Sequence, residues 1–227
     1  MSRAMRNNRG FTLVEILIAI LIFSVVISTL FSSFRAFIIS SENIKEVVAH
    51  SEKIQNLFKR ISLDLDSIFV LQPPRYKKPQ FNSDPDLYRF VGNEDTLGQQ
   101  TVSTLVFPSF AHAQFGGDQR AGVARIVYYL KENKDNGYDL YRADALPPFP
   151  EELESCFDPV LIKDISGFEV IYKDFNGDEY KYWDSEDEEF NYTFPSSIHL
   201  KVAFGSGEMQ QVLETSIHLI SGREPIE

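Results

Sequence analysis

The apolar residues of this chain change rhythm twice. From Phe11 to Phe31 every residue is apolar except Thr12, Glu15, Ser24, Ser28 and Thr29. At 1.5 Å per residue such a run makes a helix of about 30 Å, enough to cross the hydrocarbon core of a bilayer. Beyond it the apolar positions thin out to a stripe. Phe34, Phe37, Ile38, Ile44, Val47, Val48, Ile54, Leu57, Phe58, Ile61, Leu65 and Ile68 recur mostly at spacings of three and four, and Glu42, Lys45, Glu46, Glu52, Lys53, Lys59 and Arg60 supply a polar face. No proline intervenes before Pro73-Pro74, so the pattern predicts one continuous helix of roughly 55–60 residues. The alternative is two helices with a break near Ser40-Ser41. After Pro74 the rhythm becomes that of short strands between turn signals. Ser83 to Asp86 and Gly92 to Asp95 read as loops, Thr101 to Phe107 as a strand, and Ala111 to Gly122 as a long loop. Arg125–Lys131 and Tyr138–Arg142 form a predicted hairpin around Asn136-Gly137. Gly167–Lys173 and Glu179–Trp183 form another around Asn176-Gly177. Ile198–Phe204 and Gln211–Ile220 make the last pair. The fold class expected is α+β: a long N-terminal helix on a mostly antiparallel, β-rich body.

Glu15 breaks the pattern. A carboxylate at membrane depth costs roughly 2.5–3.5 kcal/mol on insertion scales, and a plain anchor would not carry it. The ten residues before the run hold Arg3, Arg6 and Arg9 and no acid. The positive-inside rule then puts this end in the cytoplasm and the body across the membrane. A secretory signal peptide would need a shorter apolar region and a small-x-small cleavage site, and neither is present. A plain uncleaved anchor would fit everything except Glu15.

Arg9-Gly10-Phe11-Thr12-Leu13-Val14-Glu15 resembles the class III leader of type IV pilins and type II secretion pseudopilins. The resemblance implies a leader 1–10 cut by a prepilin peptidase between Gly10 and Phe11, with N-methylation of Phe11. It implies a transmembrane helix 11–31, its periplasmic continuation 32–72 and a pilin-like head 73–227. It also implies that Glu15 serves assembly by pairing with the amine of a neighbouring subunit as helices stack. Within the family, Arg60 to Leu65, the Tyr128–Tyr141 hairpin and Phe168 to Trp183 followed by Phe194-Pro195 and a strand are similar to the J-type minor pseudopilin. The partners implied are the I-type and K-type minor pseudopilins, the major pseudopilin, the peptidase and the inner membrane.

Composition narrows the picture further. The net charge is −11, and loss of the leader's three arginines makes it −14. Such a surface disfavours nucleic acid and anionic lipid. The single cysteine, Cys156, excludes an internal disulfide framework and reads as a small buried apolar residue. Asp174, Asn176 and Asp178 mimic the start of a calcium loop, but the glycine falls at loop position four and position twelve is Ser185. A solvated hairpin tip is the better reading, so no metal or cofactor is expected. The four histidines show no metal-ligand spacing, and no motif for phosphate binding or nucleophilic catalysis occurs. An enzyme would need a site built from scattered residues.

Overall fold

The computed structural model describes residues 12–80, 83–97, 100–113, 120–134, 137–150, 158–205 and 210–223. Helix α1 runs unbroken from Leu13 to Asp66. The chain divides into two compact units, Met1–His50 and Ser51–Glu227. In the first, Leu13–Ile38 is long and apolar enough to cross a membrane, and among the described residues nothing buries it.

In the second unit the last turns of α1 bury Ile54, Leu57, Ile61 and Leu65, at helical spacings of three and four. The helix ends at Asp66 rather than at 72, ahead of the proline pair. The reason is a strand that captures the backbone first. Phe69 N–H donates to Pro108 O (2.9 Å), Phe110 N–H donates to Ser67 O (2.9 Å), and Ile68 forms a bridge with Ser109.

The head is one antiparallel sheet of nine strands among the described residues. They are β1 (Val91–Leu97), β2 (Gln100–Ser109), β3 (Ala124–Glu132), β4 (Tyr138–Ala145), β5 (Val160–Lys173), β6 (Glu179–Tyr180), β7 (Trp183–Asp184), β8 (Ser197–Phe204) and β9 (Gln211–His218). Their order is β7-β1-β2-β3-β4-β5-β8-β9, with β6 also on β5. Alternate residues of β3, β5 and β8, such as Ile126 and Tyr128, Phe168 and Val170, Leu200 and Val202, face one core with the helix stripe. The sheet curls until β2 meets β5, where Val170 N–H donates to the buried Ser103 Oγ at 3.0 Å.

The β3–β4 and β8–β9 hairpins lie where the pattern predicts. Two other expectations are corrected. Gly92 to Asp95 is not a loop but part of β1, paired along its length with β2. Gly92 lets β1 cross over Tyr172, whose hydroxyl would lie 2.0 Å from any Cβ there. The hairpin at Asn176-Gly177 is short: only Tyr172↔Tyr180 and Lys173↔Glu179 pair across it, around a loop 174–178. Most of β5 pairs with β8 instead, and Trp183 and Asp184 cross to β1. Trp183 leaves because its ring is worth more inside. It is buried, stacks on Phe190 at 4.2 Å and donates from Nε1 to Thr193 O at 2.9 Å.

Candidate functional site

Thr12 and Glu15 form a reciprocal cap at the start of α1. Glu15 Oε2 accepts from Thr12 N–H (2.9 Å) and from the Thr12 hydroxyl (3.0 Å), while Glu15 N–H donates to Thr12 Oγ1 (3.3 Å). This is a capping box, which satisfies otherwise orphan donors at a helix start and sets an anion at the positive end of the helix dipole. The carboxylate therefore has partners inside its own chain. The signal for this stands in the sequence as Thr-x-x-Glu before an apolar run, and the expectation above passed over it. The side chain remains exposed. Ala19, one turn on, opens a shallow notch beside it, bordered by Ile16, Ile20 and Phe23. A second chain could reach the carboxylate there. Gly10 and Phe11 lie outside the described residues, as does Cys156.

A second ionic site has no sequence motif. Asp64, on the last turn of α1, is fully buried. Its Oδ1 meets Arg60 at 2.8 Å and Arg142 at 3.3 Å; its Oδ2 takes Arg142 Nε at 2.7 Å and the Tyr128 hydroxyl at 2.5 Å. Arg142, on β4 and equally buried, continues the network to Asp144 at 2.7 Å and to Ala111 O at 3.1 Å. Asp144 in turn holds His112 Nδ1 at 2.6 Å and accepts from Ala113 N–H at 2.7 Å. Burial alone would depress the Arg142 guanidinium; hydrogen bonds and charge from Asp64 and then Asp144 reverse this and hold it above its usual value. Burial first, and then the Asp64 charge, push the Tyr128 phenol well above its ordinary range. The network locks the helix end to β3 and β4.

The acidic segments place no metal centre: among the described residues no group of three or more His, Cys, Asp or Glu is set to hold an ion. Asp174, Asn176 and Asp178 lie together in the loop 174–178, but the Asp174 carboxylate is engaged by its own turn. Oδ1 accepts from the N–H groups of Asn176 (2.8 Å) and Asp178 (2.9 Å), and Oδ2 from the Asn176 amide (3.0 Å). A cleft of about 470 Å³ on the outer face of the sheet is lined by Glu94, Glu169, Lys181 and Lys201. Its charges are paired with one another, Lys181 with Glu94 at 3.0 Å and Lys201 with Glu169 at 3.6 Å.

The family model of the prokaryotic N-terminal methylation motif matches residues 5–31. The chain carries a pilin-type N-terminus. The match takes in residues on both sides of the Gly10–Phe11 bond and the whole apolar run to Phe31, and it supports a type IV pilin-like protein, of a pilus or a pseudopilus. It also marks the chain as a substrate of a prepilin peptidase. Together the motif and the one helix among the described residues that is long and apolar enough to cross a membrane indicate a single-pass, membrane-anchored protein. No curated protein matches the chain.

Proposed function

We propose that the chain is a minor pseudopilin of a type II secretion system, of the J type. It is cut between Gly10 and Phe11, methylated on Phe11, and held in the bacterial inner membrane with its head in the periplasm. It joins I-type and K-type minor pseudopilins at the tip of a pseudopilus built on by the major pseudopilin, and so supports export of proteins across the outer membrane. The observation that carries this reading is the methylation motif over residues 5–31, running into a stem whose Glu15 is capped yet open to a second chain. In the free subunit Thr12 holds the carboxylate. In the fibre a neighbour's cationic amine takes over one of its oxygens, and the exchange favours one register of helix against helix. Such a pair is worth more as a selector of register than as raw stability.

The same motif supports a second reading, a minor pilin of a type IV pilus. The net charge of −11 weighs against those pili that take up DNA. The test is Glu15→Val in the full chain, read by secretion and by co-purification with the other pseudopilins. Loss of both is expected, and unchanged values overturn the assembly role. Mass spectrometry of the mature protein checks the processing step, since a first residue other than an N-methylated Phe11 contradicts it.

A further inference from the structure

The two edges of the head sheet are unlike. At one edge β7 is two residues long and pairs with β1 only through Val91↔Asp184 and Gly92↔Trp183. At the other, β9 runs for eight residues in unbroken register on β8, from Ser197↔His218 to Phe204↔Gln211. Folded proteins blunt an open edge with a short strand, a lysine, a proline, a bulge or a covering segment. β7 is short. β9 has neither lysine nor proline and no bulge against β8, and Glu214 is its one acidic residue. Among the described residues nothing pairs with its outer side. The chain that follows turns the other way: Leu219 N–H donates to Ser196 O at 3.0 Å, Gly222 O accepts from Gln72, and Arg223 donates to Leu71 O.

The bonding phase of this edge follows from one of those contacts. Leu219 bonds to Ser196, so in an antiparallel ladder Ile217, Thr215, Leu213 and Gln211 also turn their N–H and C=O toward β8. Val212, Glu214, Ser216 and His218 therefore turn theirs to the open side. Donors and acceptors repeating about every 7 Å along a line are matched by another extended polypeptide backbone and by little else. The side chains add specificity. Val212 (54% exposed), within the strand, and Ile220 (82% exposed), two residues beyond it, are open, and the exposed Glu214 stands between them with His199 Nε2 3.3 Å from one of its oxygens. On the opposite face Leu213 and Leu219 are partly buried against the core, with room to be covered further.

We propose that β9 is a docking edge, at which an extended segment of a second, different protein adds a strand to the sheet. That segment carries apolar residues at alternate positions, against Val212 and Ile220, and a lysine or arginine opposite Glu214. A second copy of this chain is disfavoured by its net charge of −11, which sets like against like. The inference rests on the edge and not on the pseudopilus reading, and it stands if that reading fails.

The experiment places a photo-cross-linking amino acid at position 212 of the full chain in its own membrane and identifies the joined peptide by mass spectrometry. The expected product is a single extended segment of a different protein, with the alternation and the cation described. Ser216→Pro is made in parallel. Its N–H points outward, so the fold tolerates proline there while the ladder with the partner does not. The cross-link yield should fall at least about tenfold, equivalent to the loss of ~1.4 kcal/mol of binding. Glu214→Lys, at an exposed side chain, gives the same reading by charge reversal should the proline variant fail to fold. Cross-links to a second copy of this chain, scattered cross-links, none at all, or a yield unmoved by both variants each overturn the proposal.

Discussion

Glu15 and Asp64 stand near opposite ends of one helix, and both are carboxylates set among apolar neighbours. Glu15 takes all its described hydrogen bonds from Thr12, three residues away, and its side chain stays exposed. Asp64 is fully buried and is held by Tyr128 and Arg142, 64 and 78 residues away, as well as by Arg60 one turn back. The first is closed by local chemistry that a neighbour can displace. The second is closed by the tertiary fold, and nothing can displace it without unfolding the head. That difference separates a group suited to assembly from a group that maintains architecture.

The sharpest way to break the contrast is to remove each group in turn. Asp64→Ala takes both Asp64 contacts from the buried Arg142 and leaves it Asp144. Breaking a buried ion pair by removing one partner typically costs about 3–5 kcal/mol, and the Asp144 contact that Arg142 keeps sets the loss toward the lower end. Chemical denaturation of the full chain in detergent should show that loss, and a shift under 1 kcal/mol would mean that the network is solvated. Replacing the pair, with Asp64→Leu and Arg142→Met together, should recover part of the stability, because the buried guanidinium goes with its carboxylate while Asp144 keeps His112 and the Ala113 N–H as partners. Glu15 offers no such recovery, since its removal strands nothing.

A smaller effect is expected at the helix start. Thr12→Ala removes the hydroxyl that both donates to Glu15 and accepts from its N–H. Loss of a cap typically costs about 0.5–2 kcal/mol, felt in the first turn. Amide exchange in detergent should rise at residues 13–16 and stay unchanged in the head. If the head loosened too, the separation drawn between the two carboxylates would fail.

The distance between partners also decides how much could be read from the chain. The stem, the helix stripe, the β3–β4 and β8–β9 hairpins and the special standing of Glu15 all follow from patterns a few residues long. The capping box belongs to that class and needed only the Thr-x-x-Glu spacing. The Asp64 network does not. Asp64 looks like one more polar position on an amphipathic helix, and only the curled sheet brings Arg142 and Tyr128 to it. Strand β1 was hidden for a related reason. Gly92-Asn93-Glu94-Asp95 has the composition of a turn, yet long-range pairing with β2 and the close approach of Tyr172 make it a strand.

The smallest expected effect lies in a third carboxylate, which resembles Glu15 in being closed by its own neighbourhood. Slight burial would raise the Asp174 pKa, but N–H groups of Asp178, Asn176 and Gly177 and the Asn176 amide more than offset this and hold it below its usual value. A depressed carboxylate contributes stability that is complete above the unfolded pKa of about 3.9 and is lost as pH falls through the lower folded value. The amides of Asn176 and Asp178 should therefore stay protected from exchange near neutral pH and lose protection only below about pH 4, as pH falls through the lowered folded value. Asp174→Asn should remove that acid-dependent step while leaving the rest of β5 and β8 as protected as before. The contribution is modest because the group is largely in water, where charge-assisted bonds are screened. Like Glu15, and unlike Asp64, Asp174 holds a structure one turn in size, so its loss should be felt no further than the turn itself.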